Sequence, residues 1–228
     1  MKKKDLFKNI VSIRTKKNNV ITFGTGFFII AEDGEIYLVT ASHVARDTLR
    51  SSDIWIQNLD TELPLAIKLG ALSKNAIWIH HDVADIAILK VEKGMEESKV
   101  DLLKYAIPLK FFSKRFEDIP EREMTLTMYG TPDIYSDQKF APFTCDCNPA
   151  SDLTIFTYEH TGKNFKCFIL DKPSIKGFSG GPVFLLNGDE MFSYGIVHGN
   201  RIDGAGGNLA IVVHSAYLFE LIALAKNE

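Results

Sequence analysis

One stretch of sequence decides the fold: Lys176-Gly177-Phe178-Ser179-Gly180-Gly181-Pro182-Val183-Phe184. Glycines on both sides of the single serine allow the backbone to bend sharply and to approach another group closely. Such a bend can bring two backbone N–H groups beside the serine hydroxyl, a combination that can attack a carbonyl carbon and hold the oxyanion that forms. Because glycine-flanked serines also occur in ordinary loops, the interpretation depends on a base and an acid elsewhere in the chain.

Two upstream segments supply a candidate base and a candidate acid. The first is an apolar strand pattern that ends in a histidine, Tyr37-Leu38-Val39-Thr40-Ala41-Ser42-His43-Val44-Ala45. The second carries acids at the head of an apolar strand pattern, Asp82-Val83-Ala84-Asp85-Ile86-Ala87-Ile88-Leu89-Lys90. Together with the glycine-flanked serine, these segments contain the three groups that nucleophilic catalysis by a serine requires.

The three segments together resemble those of a known family. Thr-Ala-x-His, Asp-Ile-Ala-Ile-Leu and Gly-x-Ser-Gly-Gly-Pro, in that order, are similar to the catalytic segments of trypsin-like (chymotrypsin-fold) serine peptidases. Residues 10–13, 24–29 and 206–211 resemble the HtrA/Deg branch of that family, and the resemblance covers about residues 10 to 225. It implies a serine endopeptidase that acts on protein or peptide substrates without metal or cofactor. A full HtrA-type protease would normally carry a PDZ domain, for which we expect no room in this sequence.

The resemblance also implies a role for each residue of the site. Ser179 would be the nucleophile, His43 the general base, and Asp85 the acid that fixes the tautomer of the imidazole. The backbone N–H groups of Gly177 and Ser179 would form the oxyanion hole. The residues that would contribute to substrate binding are Pro173, Ser174, Lys176, Val197, His198 and Gly199.

Other acids and histidines compete for these roles. Asp82 competes with Asp85, and we favour Asp85 because Ile-Ala-Ile-Leu follows it directly and gives it a buried position. His80 and His81 are adjacent, so in a strand they point to opposite faces and cannot chelate one metal ion together. We therefore predict no metal site there, and structural or surface roles for His160 and His214.

His198 has three interpretations. Its segment, Gly195-Ile196-Val197-His198-Gly199-Asn200, resembles the strand that lines the primary specificity pocket. The pocket histidine of some relatives would fall one residue earlier, at Val197, and a one-residue shift turns a side chain to the other face of a strand. His198 could therefore contact the substrate, lie behind the triad near Asp85, or only support the strand.

Phe178 precedes the nucleophile, at the position where digestive relatives place an aspartate that pairs with a newly cleaved N-terminus. A phenyl ring cannot form that ion pair, so activation by N-terminal cleavage is not expected. We expect control by an activating protein partner, by loop ordering or by oligomerisation instead.

Strand patterns and turn signals predict an all-β fold. We expect two antiparallel six-stranded β-barrels, the first over about residues 8–100 and the second over 123–214, joined by a connection at 101–122. A hairpin turn is indicated at Asn187-Gly188-Asp189. After Ser215, a plausible N-cap, apolar residues at helical spacing predict a C-terminal helix over 215–226 that packs on the second barrel.

Composition excludes several other classes. The chain has 228 residues and a formal net charge of −3, which gives no general basis for nucleic-acid binding, although lysines crowd the N-terminus from Lys2 onward. No secretory leader or membrane span is evident, and the three cysteines suggest free thiols in the cytoplasm. The leading prediction is a cytoplasmic serine endopeptidase, and the alternative is a non-catalytic trypsin-like scaffold that binds a partner or peptide.

Overall fold

Short strands joined by tight turns build most of the molecule. The computed structural model describes residues 3–59, 61, 63–92, 100–132, 141–188, 190–202 and 206–226. Some predictions fall partly outside these residues. They concern Lys2 of the basic N-terminus, residues 60, 62 and 93–99 of the predicted first barrel, residues 133–140 and 203–205 of the predicted second barrel, and Asp189 of the predicted turn.

A tight hairpin forms the centre of the first sheet. Strands β1 (Ile10–Lys17) and β2 (Val20–Ile30) pair antiparallel, with Lys17 opposite Val20. Between them, Asn18 and Asn19 have φ angles of 50° and 62°. Asparagine tolerates this left-handed region, and two such residues form a turn whose twist matches that of the strands. The local sequence therefore closes this hairpin without glycine.

Among the described residues, the first sheet contains eight strands. The others are β3 (Ile36–Thr40), β4 (Asp53–Gln57), β5 (Pro64–Lys68), β6 (Ile79–His80), β7 (Ala87–Lys90) and β8 (Ala106–Pro108). The strand order is β5-β4-β1-β2-β3-β7-β6, and β8 pairs parallel with β2. Two short helices, α1 (Ser42–Asp47) and α2 (Leu69–Leu72), lie between its strands.

The second sheet contains seven strands in the part of the chain that is described. They are β9 (Leu126–Gly130), β10 (Phe143–Cys147), β11 (Thr154–Tyr158), β12 (Lys163–Leu170), β13 (Pro182–Asn187), β14 (Glu190–Ile202) and β15 (Asn208–His214). Their order is β10-β9-β13-β14-β15-β12-β11, with every pairing antiparallel. The described residues also form three 3-10 helices, at Lys3–Asn9, Leu102–Lys104 and Leu109–Phe111.

The all-β prediction with two sheets and a C-terminal helix is confirmed, and the strands are antiparallel except for the short β8. The sheets contain more strands than the six predicted for each. β8 has only three residues, too few to show alternation, and it lies within the predicted connection. β10 is an edge strand whose side chains are mostly half-buried, so its hydrophobic pattern is weak.

An aromatic core joins the two sheets. The rings of Phe27 on β2 and Phe112 stack with centroids 5.5 Å apart, and Phe112 contacts Phe184 on β13 at 5.9 Å. All three side chains are buried. Each such ring pair contributes roughly 0.5–1.5 kcal/mol beyond the burial of its area. These rings belong to a core that contains residues of both sheets.

The C-terminal helix packs differently from the prediction. α3 (Ala216–Ala225) contacts β6 and β7 of the first sheet, so the expectation that it packs on the second barrel is incomplete. The Ser215 hydroxyl does not cap the helix, because it donates to the carbonyls of Ser113 and Ser193. The first helical N–H, of Ala216, is instead bound by Nδ1 of His214 at 3.1 Å.

The cysteines form no disulfide, and the helices are too short or too polar to span a membrane, among the residues that the structure describes. Cys145, Cys147 and Cys167 are free thiols, and burial raises the pKa of Cys147 and Cys167 to about 12. None of the helices within the described ranges combines the length and the apolar character needed to cross a membrane.

Candidate active site

Three segments bring His43, Asp85 and Ser179 to the junction of the two sheets. His43 is the second residue of α1, Asp85 lies between β6 and β7, and Ser179 precedes β13. The serine loop (residues 176–181) is bonded across the junction, because the N–H of Thr25 on β2 donates to the carbonyl of Ser179 at 2.9 Å. Side chains that are far apart in sequence therefore form one cluster.

Asp85 holds His43 through both carboxylate oxygens. The Asp85 side chain is fully buried. Its Oδ1 accepts the backbone N–H of His43 at 2.9 Å, and its Oδ2 lies 2.7 Å from Nδ1 of His43. Because an ionised carboxylate can only accept, Nδ1 carries the proton and Nε2 of the neutral ring is the acceptor. A general base that faces a hydroxyl needs this tautomer.

A second histidine binds the same carboxylate oxygen. Nδ1 of His198 lies 2.5 Å from Oδ2 of Asp85. The ring of His198 is edge-on to His43, with centroids 5.9 Å apart, and it also contacts the rings of Tyr158 and Phe165. The structure thus places His198 behind the triad, beside Asp85.

These contacts set the protonation states of the site. Burial would raise the pKa of Asp85, but the hydrogen bonds from His198 and His43 outweigh it and hold the pKa far below its usual range. Burial disfavours the imidazolium of His43, yet the hydrogen bond and charge of Asp85 and the charge of Asp47 raise its pKa above 6.5. Asp85 is therefore ionised at neutral pH and stabilises a proton on His43.

The hydroxyl of Ser179 is turned away from the base in this structure. Its Oγ donates to the backbone carbonyl of His198 at 3.0 Å. The described residues include no hydrogen bond between Ser179 and His43. Attack on a substrate would therefore begin with rotation of the serine side chain toward His43.

The serine loop fits into its position only with glycine after the nucleophile. Gly180 has φ +89°, and a Cβ built on it would lie 2.2 Å from both the carbonyl oxygen of Thr25 and Oγ1 of Thr40. Its N–H donates to the carbonyl of Val197 at 2.8 Å. The close approach that the Gly-x-Ser-Gly-Gly-Pro motif predicts is thus used to pack the loop against both sheets.

A buried threonine holds the other side of the serine loop. Oγ1 of Thr25 donates to the carbonyl of Gly177 at 2.6 Å and accepts the N–H of Thr131 at 2.8 Å. Gly177 has φ +99°, a region that favours glycine. The N–H of Phe178 donates to the carbonyl of Ile175 at 2.9 Å, so both ends of the Gly177–Phe178 peptide group are fixed. The residues near Thr25 in the sequence give no signal of this role, so it was not predicted.

The predicted oxyanion donors are the N–H groups of Gly177 and Ser179. Within the part of the chain that the structure describes, neither N–H donates a hydrogen bond to another residue. Both residues line a cavity. An oxyanion hole requires N–H groups that are not already bonded within the protein.

Phe178 anchors the serine loop in the second sheet. Its side chain is fully buried in a cluster of apolar residues that includes Val183 and Val197. A Cβ on Gly130 would lie 2.4 Å from the ring, so this position leaves the room that Phe178 fills. Ile10 and Val11 are also buried, within β1, where neither provides a chain terminus.

A cavity of about 340 Å³ opens beside Ser179 and His43. Ser174 and Asn200 both line this cavity, and they are bonded to each other. Oδ1 of Asn200 accepts the N–H of Ser174 at 2.7 Å and its hydroxyl at 2.8 Å, and Nδ2 of Asn200 donates to the Ser174 carbonyl at 2.8 Å. Three hydrogen bonds thus fix the positions of these two lining residues relative to each other.

The predicted substrate-binding residues divide into two groups. Ser174, Lys176 and Gly199 line this cavity, and His198 lines a second cavity of about 190 Å³ on the other side of His43. Val197 is fully buried, with its N–H and carbonyl bonded to Gly181 and Gly180 of the serine loop, and it lines neither cavity. Pro173 is exposed and lines neither cavity. Asn200, which sequence analysis did not single out, is the further wall residue.

The competing acid and histidines lie elsewhere. Asp82 is exposed, whereas Asp85 is buried against His43. Nδ1 of His80 bonds the hydroxyl of Ser42 at 2.7 Å. Nδ1 of His81 accepts the N–H groups of Val83 and Ala84 at 3.2 Å, and Nε2 donates to Glu220 of α3. His81 therefore supports the loop that carries Asp85 and does not share a site with His80.

His43, Asp85 and His198 are also residue types that bind metal ions, and their ligand atoms lie within 4.8 Å of one another. The two nitrogens are 2.5 and 2.7 Å from the carboxylate oxygen. Ligands of a tetrahedral zinc ion lie about 3.3 Å apart, given bonds of about 2.0–2.1 Å. The observed separations are those of hydrogen bonds, so the cluster would have to open to hold a metal.

Solved structures of other proteins have a similar fold, whereas sequence comparisons find no relative. No protein-family profile and no curated protein sequence matches the chain. The structure of the Rv3671c protease from M. tuberculosis in its active form is similar, with a TM-score of 0.65 and 18% identity over 96% of this chain and 81% of that one. Its inactive form has a TM-score of 0.59 and 19% identity, over 96% and 89% of the two chains.

A serine endoprotease from Yersinia pestis is also similar, with a TM-score of 0.57 and 14% identity over 98% of this chain and 66% of that one. At these identities the likeness concerns the fold. The two antiparallel sheets, with His43, Asp85 and Ser179 at their junction, agree with it. The chain therefore shares with these solved proteases a fold of two β-sheets followed by a C-terminal helix.

Proposed function

We propose that the chain is a serine endopeptidase that hydrolyses peptide bonds through an acyl-enzyme. One observation carries the proposal: a buried, ionised Asp85 binds both the backbone and Nδ1 of His43, beside Ser179 in a glycine-rich loop with unpaired N–H groups. This arrangement leaves Nε2 of His43 free to accept a proton. The trypsin-like fold agrees with this chemistry.

In the first half of the reaction, Ser179 turns toward His43 and its Oγ attacks the carbonyl carbon of the peptide. The hydroxyl proton passes to Nε2 of His43, and the N–H groups of Gly177 and Ser179 bind the oxyanion. His43 then gives the proton to the leaving amine as the C–N bond breaks. The product of this half is an ester between the substrate acyl group and Oγ.

In the second half, water replaces the amine. His43 takes a proton from the water as its oxygen attacks the ester carbon, and then returns the proton to Oγ of Ser179 as the ester bond breaks. Proton transfer of this kind contributes on the order of 10²–10⁴-fold in rate. Each oxyanion donor contributes about 2.7–4 kcal/mol. No metal or cofactor is required by this sequence of steps.

The substrate is a protein or peptide chain in this proposal. We assign the cavity bounded by Ser174, Lys176 and Gly199 to the side chain that precedes the cleaved bond. The hydrogen-bonded pair of Ser174 and Asn200 favours small side chains there. Residues 198–200 would pair with the substrate backbone as an added strand, because the backbone of Val197 is already bonded to the serine loop. Pro173 would support the cavity from outside.

Control of the enzyme is proposed to be independent of N-terminal cleavage. Phe178 provides an apolar anchor where an ion pair with a new terminus would otherwise form, and Ile10 and Val11 are parts of a strand. We propose an activating protein partner or loop ordering, in a cytoplasmic enzyme that acts without nucleic acid or membrane. Free cysteines support a reducing compartment.

A non-catalytic, peptide-binding scaffold is the second candidate. The observation that favours it is the hydrogen bond from the Ser179 hydroxyl to the His198 carbonyl, because a serine in this position is not activated. The same bond also fits a latent protease whose serine turns when substrate enters.

The test is covalent labelling of the purified chain with a fluorophosphonate, together with hydrolysis of a peptide library. We expect one label per chain on Ser179, and loss of both labelling and hydrolysis in Ser179→Ala. Ser151→Ala is the matched control, because Ser151 is a loop serine outside the site, and it should label like the wild type. Absence of labelling in the wild type, with substrate peptides still bound, would support the scaffold instead.

A further inference from the structure

His198 contacts both the acid and the nucleophile of the proposed triad. Its side chain bonds Oδ2 of Asp85 at 2.5 Å, and its carbonyl accepts the hydroxyl of Ser179 at 3.0 Å. The third member, His43, lies edge-on to its ring at 5.9 Å between centroids. One residue of β14 thus touches all three groups on which the proposed reaction depends.

The backbone explains how His198 reaches Asp85. Val197 pairs with Val212 and Gly199 pairs with Ile211, so His198 is the extra residue of a bulge between β14 and β15. A bulge redirects a side chain that would otherwise follow the alternation of the strand, and bulges occur often beside active sites. The ring is then held by Tyr158 and Phe165, which contact it at 6.2 and 5.9 Å between centroids.

The chemistry of the contact fixes the tautomer of His198. Asp85 is buried and ionised, and an ionised carboxylate accepts hydrogen bonds only. Nδ1 of His198 must therefore carry a proton that it donates to Oδ2, the same oxygen that binds His43. With the N–H of His43 on Oδ1, the carboxylate accepts three donors and cannot rotate without breaking at least one bond.

We propose that His198 is a positioning residue of the triad. The Nδ1–H of His198 fixes the carboxylate of Asp85 and offsets part of the negative charge of that carboxylate. Asp85 then orients His43, and the pKa of the His43 imidazolium is raised less than it would be without His198. The proposal rests on the proposed function for its catalytic consequence. A role in reading the substrate would leave Nδ1 free for a ligand, but Nδ1 is used by Asp85, and only the remaining edge of the ring borders the second cavity.

The effect on His43 has a definite sign. Loss of the His198 donor leaves more of the Asp85 charge to act on His43, which favours the imidazolium, so the acidic limb of kcat/KM should move to higher pH. Other charged or titratable groups face this pair and stay in place in the variants. They are Asp47 toward His43, and Tyr158 and His80 toward Asp85.

The experiment compares His198→Asn with His198→Leu. Asparagine can place an amide donor where Nδ1 stands, whereas leucine has nearly the same shape without a donor. We expect His198→Leu to lose about 10- to 100-fold in kcat with a smaller change in KM, and its acidic limb to move upward by about half a unit to one unit. His198→Asn should recover most of the rate and the wild-type limb. Equal losses in the two variants, or an unmoved limb in His198→Leu, would overturn the proposal.

A second measurement does not depend on activity or on the folding of the His198 variants. In ¹⁵N-histidine-labelled Ser179→Ala protein, long-range ¹H–¹⁵N spectra report the tautomer of each ring. We expect His198 as the Nδ1–H tautomer with a downfield Nδ1 proton, in addition to that of His43. An Nε2–H tautomer of His198 would refute the contact itself. If the tautomer is as expected but the wild type neither labels nor hydrolyses, the proposed function fails and the positioning geometry stands.

Discussion

Thr25→Val should release the serine loop from the first sheet. The substitution keeps the shape of the side chain and removes one hydroxyl, which donates to the Gly177 carbonyl at 2.6 Å and accepts the Thr131 N–H at 2.8 Å. Thr25 is fully buried, so water cannot replace the hydroxyl without a rearrangement. The variant therefore leaves one carbonyl and one N–H without a partner.

The magnitude follows from those two groups. An unsatisfied buried donor or acceptor costs about 1–3 kcal/mol, so the loss of partners for two groups should decrease the free energy of unfolding by about 2–6 kcal/mol. Part of this cost can be relieved if the serine loop moves and the Gly177 carbonyl finds another partner. That movement displaces the N–H of Gly177, one of the proposed oxyanion donors. Loss of one such donor corresponds to about 2.7–4 kcal/mol, or about 10²–10³-fold in kcat.

The assay measures stability and catalysis in the same variants. Denaturant unfolding gives the free energy of unfolding, and the rate of fluorophosphonate labelling reports the competence of Ser179 without a chosen peptide. Thr127→Val is the matched control, because Thr127 is buried on β9 and donates to Asp146 at 2.9 Å, away from the site. It should lose stability and keep the labelling rate. If Thr25→Val loses stability but labels at the wild-type rate, Thr25 does not hold the loop and our reasoning is wrong.

Two further changes test the acid and the cavity. Asp85→Asn removes the charge that raises the pKa of His43, so kcat/KM should fall by about 10⁴-fold. In the wild type, the acidic limb of the pH–rate profile should lie above pH 6.5, because His43 must be neutral to accept a proton and its pKa is raised. In Asp85→Asn this limb should move to lower pH. A variant whose acidic limb stays at the wild-type pH would contradict the role assigned to Asp85. Asn200→Gly removes the three hydrogen bonds to Ser174 and should raise cleavage after large side chains relative to alanine by about 10-fold or more, measured with a peptide library. An unchanged profile would show that Asn200 does not limit the cavity.

The sequence predicts the fold and the three central residues because their signals are local. Each of His43, Asp85 and Ser179 lies next to an apolar strand or a glycine turn that can be read within ten residues. The antiparallel sheets follow from the same short-range alternation. The structure adds what brings the three segments together.

The positions of Thr25, His198 and Val197 depend on contacts between residues that are far apart in the sequence. Thr25 bonds Gly177 across 152 positions, and nothing near either residue indicates the pair. The face of His198 depends on a bulge, which strict alternation of side chains cannot reveal. Val197 was expected in the substrate site, but its backbone is used by the serine loop and its side chain is buried. These positions are set by tertiary packing.

The apolar anchor of the serine loop has a consequence for the conditions under which the site stays assembled. An ion pair between an aspartate and a terminal amine weakens with added salt and is lost when the amine deprotonates, near pH 8. Phe178 carries no charge and is fully buried against Gly130, so neither salt nor alkaline pH acts on it directly. The Phe178 side chain can leave its position only if the packing of the second sheet is disrupted. The position of Ser179 should therefore be lost at the temperature at which that sheet unfolds, and it should not depend on the salt concentration of the solution.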